Sequence, residues 1–334
     1  MTENTSSRSN FKIHMISFFR KNFAFLVLIA LCVVATIIDS SFLSYNVLLG
    51  RIQGYCMIGI AALGMTFVIL TGGMDLSLGG VGCICGFFAA FLENVMGGYI
   101  SILAAIVAGA CIGLINGLLV TKAKAPPFVI TLATMSACNG FALIINNESA
   151  LQLMNRENAL WALAQNNFLN FPIMVWCFLI LVVICVFVSK YTKFGRSVYA
   201  VGGNEEASRM MGFNPERVKT LCYVISAAFS RFAGAMLCSR LGVAQVQSGA
   251  NWTMQCLSAV VIGGTLLEGG RGSFFGTFCG VLIYSVIEWM LGRLNMLSWW
   301  IAIITGLILL AVVLLQYRNT RVFAKKKKIK KTAE

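Results

Sequence analysis

The chain has 334 residues, 58% of them hydrophobic and only 11% charged, with a formal net charge of +14. An average soluble domain is roughly 25% charged, so this composition excludes an ordinary soluble fold. It points instead to lipid, where a core about 30 Å thick takes roughly 20 apolar residues per helix. The basic excess lies in loops and tails, as the positive-inside rule requires, and so does not mark a nucleic-acid partner.

In chain order, residues 1–22 read as a basic tail carrying Arg8, Lys12, Arg20, Lys21 and the lone histidine, His14. The first apolar run, Phe23–Ile38, has the flanks of a signal peptide but no small-x-small cleavage site, and is expected to stay as an anchor helix. Nine more spans follow at Tyr55–Leu70, Leu78–Leu92, Ile100–Val120, Phe128–Ile145, Ile173–Val188, Leu221–Leu237, Cys256–Leu267, Phe274–Met290 and Trp299–Leu315. The expected fold class is an all-α integral membrane protein of about ten transmembrane helices. Its membrane domain covers residues 23–316, with a connecting loop at 189–220, and residues 317–334 form a basic C-terminal tail.

Charge supports this count independently. The N-terminal tail, the connection with Lys122 and Lys124, the loop with Lys190, Lys193, Arg196, Arg209, Arg217 and Lys219, and the C-terminal tail are all basic. Four, two and four spans separate them, so all four segments fall on one side, the cytoplasmic one. The segment 146–171, with Glu148, Arg156 and Glu157, has no basic excess.

No phosphate loop, metal-ligand spacing or Ser/His/Asp set is present. The twelve cysteines are scattered through apolar stretches, and the close pair Cys83 and Cys85 has no histidine nearby. No metal, cofactor or catalytic residue is expected.

Two motifs stand out. In Thr71-Gly72-Gly73-Met74-Asp75-Leu76-Ser77, two glycines stop one helix, and Asp75 with Ser77 restarts another. It reads either as an ordinary capped turn or as a broken helix at the inner mouth of a pathway. A similar Gly-Gly segment recurs at Gly263-Gly264. Both segments fall on the same side in this topology, which an inverted repeat would not give.

The second motif runs from Gly203 to Gly212. Asn204 is a helix cap, Glu205 and Glu206 suit the first turn, Arg209, Met210 and Met211 follow, and Gly212 closes the helix. Pro215 opens the next helix. This segment is either an amphipathic connector or a docking element for a cytoplasmic partner. Arg231 and Glu288 lie at similar depths in their spans, and either they pair or each snorkels to water separately; pairing is the expectation.

At these motifs the chain resembles the permease subunits of ABC importers of the ribose, xylose and galactose type. The matching stretches are GMTFVILTGGMDLSLG from Gly64, GLINGLLVTKAKAPPFVIT from Gly113, GRSVYAVGGNEEASRMMGFNPER from Gly195 and VVIGGTLLEGGRG from Val260. The resemblance implies an ABC importer permease fold in the bacterial inner membrane, both termini cytoplasmic, with import of a monosaccharide-like solute.

Implied partners are a cytoplasmic double-cassette ATPase that binds the ATP, an extracytoplasmic solute-binding protein, and a second copy of the permease or a paralogous one. The ATPase would dock on Asn204–Gly212. Thr71, Gly72, Gly73, Asp75, Ser77, Asn116, Asn139, Gly263 and Gly264 would serve the pathway. The chain departs from the family pattern at Trp252–Gln255, at Asn139-Gly140, at Ile287–Met290 and in Arg231 within an apolar span, which leaves open both the solute and whether two identical copies form the pathway. The rival reading is an ATP-independent carrier or channel. Such carriers keep ionisable groups at midplane for ion coupling, and here Asp75 and Arg231 give little of that.

Overall fold

The structure is a computed structural model that describes residues 23–145, 150–153, 159–245, 249 and 251–331. The N-terminal basic tail and the residues Glu148, Arg156 and Glu157 lie outside the described residues. Thirteen helices are present among those described: α1 (Phe23–Ile38), α2 (Tyr45–Leu70), α3 (Leu78–Met96), α4 (Gly98–Thr121), α5 (Pro127–Ile145), α6 (Ala159–Gln165), α7 (Ile173–Tyr191), α8 (Lys193–Gly203), α9 (Glu205–Met210), α10 (Pro215–Leu241), α11 (Trp252–Ile262), α12 (Phe274–Arg293) and α13 (Ser298–Lys331).

Six of these, α2, α4, α5, α7, α10 and α12, are long and apolar enough to cross a membrane, and α1, α3, α11 and α13 supply shorter apolar stretches. Each predicted span overlaps one of these ten helices. Several boundaries move, among them the start of α10, which lies at Pro215 and not Leu221. α2 begins ten residues earlier than predicted, at Tyr45. The eighth span ends at Ile262, because Gly263 and Gly264 break it. The last helix runs on to Lys331, through the basic C-terminal residues. The all-helical class also needs a small amendment. Two antiparallel ladders of two residues each tie loops together, β1 (Leu151–Gln152) with β4 (Val243–Ala244) and β2 (Asn167–Phe168) with β3 (Phe171–Pro172).

Burial sorts the helices. In the most apolar window of α2, 83% of residues are buried, against 17% in α5. α2 is therefore the central post, and α4, α7 and α13 present Leu103, Val107, Ile180, Val183, Leu307 and Leu310 outward. α10 packs most extensively on α4. That contact uses glycines every fourth residue: a Cβ on Gly109, Gly113 or Gly117 would come within 3 Å of Arg231, of Tyr223, Val224 and Ala227, or of Thr220 respectively. Lipid offers no hydrophobic drive between helices, so close backbone approach of this kind supplies dispersion instead.

Candidate functional site

Among the described residues, the break after α2 is the most densely bonded polar site. Asp75 is 1% exposed. Its Oδ1 accepts from the Ser77 amide (3.0 Å) and the Ser77 hydroxyl, and its Oδ2 accepts from Ser226 Oγ of α10 (2.7 Å). Asn116 Nδ2 of α4 donates to Ser77 Oγ (3.3 Å), and Thr134 Oγ1 of α5 donates to Asn116 Oδ1 (2.6 Å).

The interrupted backbone is satisfied from the side. Tyr223 donates to the Met74 carbonyl (3.2 Å), Thr253 of α11 to that of Leu76 (3.0 Å), and Ser230 to that of Leu78. Irregular backbone at membrane depth persists only where protein re-satisfies it, and here α10 and α11 do so while α4 and α5 bond the side chains around it. Five residues predicted for the pathway, Thr71, Gly72, Gly73, Asp75 and Ser77, thus form one segment, and Asn116 joins it. Asp75 is sealed inside the bundle, where it holds the break closed. Asn139 lies on α5, half-buried, and joins none of these bonds.

At the end of α2 the two Gly-Gly segments meet. Gly72 has φ +76°, and Gly264, Gly269 and Gly270 are also left-handed. The Gly270 amide donates to the Leu70 carbonyl at 2.9 Å. Gly202, near the end of α8, fits against both: a Cβ there would lie 1.8 Å from the Leu70 oxygen and 2.6 Å from the Gly270 nitrogen. Tyr199 of α8 donates to the Gly272 carbonyl at 3.0 Å. α8 is therefore seated directly on the base of the broken helix.

The segment after α8 folds as its sequence predicts. Asn204 caps α9 by accepting from the Ala207 amide (2.9 Å), and Gly212, at φ +83°, closes it. Asn214 caps α10 in turn, with Pro215 at its first turn. Glu205 bonds Lys219 of α10, and Arg209 bridges Glu205 (3.4 Å) and Glu216 (3.3 Å). The Lys219 hydrogen bond, more than any other influence, holds the Glu205 carboxyl below its ordinary range. Met210 and Met211, by contrast, are 89% and 62% exposed.

The predicted Arg231–Glu288 pair does not form. The Arg231 stem lies against Gly109 of α4. Glu288 lies on α12 beside a cavity bounded by α11 and α13, and the opposing charge it feels is that of Arg51 on α2. Equal depth along two helices says nothing about which faces turn toward each other, and here rotation about the axes sends the two groups apart. Two of the three stretches that depart from the family pattern do converge: Met254 and Gln255 line the same cavity as Glu288. Among the described residues, no group of three or more His, Cys, Asp or Glu side chains is placed to hold a metal.

The sequence profile of a family described as "Branched-chain amino acid transport system / permease component" matches residues 52–313. The chain belongs to this permease family. It is similar to the ribose import permease RbsC of Bacillus subtilis, at 35% identity over 92% of this chain and 96% of the relative. The RbsC of Haemophilus influenzae is 32% identical over 92% and 95%. The L-arabinose ABC transporter permease AraH of Azospirillum brasilense is 30% identical over 84% and 83%. No solved structure matches. The permease is a multi-pass membrane component of ABC transport, not an enzyme.

Several residues on which the permease relies at the break, Thr134, Tyr223, Ser226, Ser230 and Thr253, are not among those its sequence singles out. A signal was available for two. Ser226 and Ser230 stand four residues apart, on one face of an apolar helix, and small polar residues in such a helix bond to a neighbour.

Proposed function

We propose that this permease is one of two membrane subunits of a bacterial ABC importer that carries a monosaccharide, of pentose size, into the cytoplasm. The relatives named for ribose and L-arabinose transport support the solute class. In this reading all ten apolar helices span the membrane, with both termini cytoplasmic, as the four basic segments separated by even numbers of spans require. The Gly-Gly loops, α8 and α9 then share the cytoplasmic face. The permease holds no cofactor. ATP is bound by a double-cassette ATPase, and an external binding protein delivers the solute to a pathway formed with a second copy of this chain or a paralogue.

The observation that carries the reading is the α8–α9 hairpin. α9 has six residues, too few to be stable alone in water, yet it is capped at both ends and braced by Lys219. It presents two exposed methionines rather than burying them. Flexible, polarizable methionines suit a groove on a partner, and the ATPase is the partner on this face. Through Gly202 and Tyr199, movement of α9 would reach the Leu70 carbonyl and so the break at Asp75. ATP-driven closure of the cassettes would shift the permease between its outward and inward states through this contact.

The test is Met211→Asp, which places a charge in the apolar contact. The permease should still reach the membrane, while the ATPase no longer co-purifies or loses its stimulation by loaded binding protein. Intact association and stimulation would reduce the hairpin to a connector.

A further inference from the structure

The cavity between α11, α12 and α13 has a volume of about 400 Å³, within the range of small-molecule sites. Its polar lining is Asn251, Gln255, Ser258, Tyr284, Glu288 and Thr305, and the apolar remainder includes Ile301 and Leu309. Its rim residues Met254 and Ser298 are exposed, so it is open to a ligand.

Glu288 is 14 residues past Phe274, or about 21 Å along α12 at 1.5 Å per residue. It therefore sits about two-thirds of the way across a layer roughly 30 Å thick, on the side away from the Gly-Gly loops. An ionisable group at that depth is costly unless it serves a ligand or a pathway. Among the described residues, Glu288 has no salt-bridge partner within 4 Å.

The hydrogen-bond accounting says what the ligand must bring. Ser258 donates its hydroxyl proton to the Met254 carbonyl (2.7 Å), and Thr305 donates to that of Ile301 (2.8 Å). Both protons are spent on their own helices, so the cavity meets the oxygens' lone pairs. Tyr284 lies beside Thr305 and Gln255. The Glu288 carboxyl and the Ser258 and Thr305 oxygens accept, while the amides of Asn251 and Gln255 both donate and accept. A ligand must therefore bring donors and acceptors together, as hydroxyl groups do. A metal cation suits the lining less well, because Glu288 is the one carboxylate in it.

We infer that this cavity is a contact site for a neutral polyhydroxylated solute, with Glu288 accepting hydrogen bonds from adjacent hydroxyls and Gln255 and Asn251 flanking it. The inference rests on the import reading above and names the permease residues that would select the solute.

The test uses the whole importer in proteoliposomes, with one binding protein throughout, and measures uptake of labelled D-ribose, L-arabinose and a panel of neutral hexoses. Each transported sugar is paired with its deoxy analogue lacking one hydroxyl. Native permease and Glu288→Gln are compared. Because the binding protein is the same in both arms, the change in preference reports the permease alone. A lost hydrogen bond to a charged group amounts to about tenfold or more. Glu288→Gln should therefore lower uptake at sub-saturating sugar by about that factor and shrink the preference over the deoxy analogue, with ATPase co-purification unchanged. Ser258→Ala, which keeps the helix and removes one acceptor, should shift the preference in the same direction and guards against a folding defect in the first variant.

Unchanged preference in both variants, or reduced uptake with preference intact, overturns the site. Better uptake of a cationic amino sugar than of its neutral parent overturns the neutral assignment. If the native importer moves no sugar at all, the import reading and this inference fall together. That outcome is visible before any variant is made, so the two failures are distinct.

Discussion

Gly202 and Gly203 are adjacent glycines in very different surroundings, which allows a sharp experiment. A Cβ at Gly202 would lie 1.8 Å from the Leu70 carbonyl oxygen, while at Gly203 nothing lies within 4 Å. Ordinary van der Waals contact begins at 3.4 Å, so Gly202→Ala must open the contact by about 1.6 Å. The obstructing atoms are backbone, from α2 and from the Gly269–Gly270 turn, and cannot rotate aside. Overpacking of this kind costs about 1–3 kcal/mol, and here it also breaks the seat of α8 on the broken helix. Both substitutions remove a glycine from the same helix and gain similar helix propensity, so Gly203→Ala is the internal control.

The expected outcome is a lower unfolding temperature for Gly202→Ala, on the order of 5 °C if each kcal/mol moves the midpoint by about 2–4 °C, and little change for Gly203→Ala. In proteoliposomes, Gly202→Ala should retain ATPase association through α9 but lose stimulated uptake, because the shifted α8 no longer bears on Leu70. Equal unfolding temperatures and equal uptake in the two variants would refute the contact and the coupling route built on it.

Asp75→Ala leaves the Ser77 amide, Ser77 hydroxyl and Ser226 hydroxyl without an acceptor inside the bundle, at about 1–3 kcal/mol each when unrelieved. It should express as a misassembled protein on size-exclusion chromatography. Asp75→Asn keeps the shape and one acceptor, and should assemble but import poorly in the uptake assay. Glu205 has a lowered carboxyl pKa in the folded chain. Its contribution to the hairpin is therefore present above the ordinary Glu value of about 4.3 and lost as pH falls through the depressed folded value. A spin label at position 210 should keep constant mobility from neutral pH down to about that value and gain mobility only in stronger acid, whereas in Glu205→Gln it should be mobile throughout. A double-mutant cycle on Arg231→Leu and Glu288→Gln, read by thermal unfolding, should show additivity within about 0.5 kcal/mol, as distant sites do.

Most of the helices were legible along the chain, because apolar length and the Gly, Pro and Asn signals at their ends are local properties. The sequence by itself determined the run of ten apolar helices, the break after Leu70, and the cap at Asn204 with its closing Gly212. It determined less at Ile262, where the apolar run continues to Leu267 but two glycines end the helix.

What needed the tertiary structure was every question of facing. The depths of Arg231 and Glu288 could be counted at 1.5 Å per residue, but rotation about α10 and α12 turned one toward Gly109 and the other toward Gln255. Asp75 announced itself by rarity, yet the network around the break draws on four helices, with residues scattered between Asn116 and Thr253. That convergence is set by how glycine-lined faces close on one another. Packing of side chains across helices depends on the azimuth of each residue and on its neighbours' volumes, and neither is a property of any one segment.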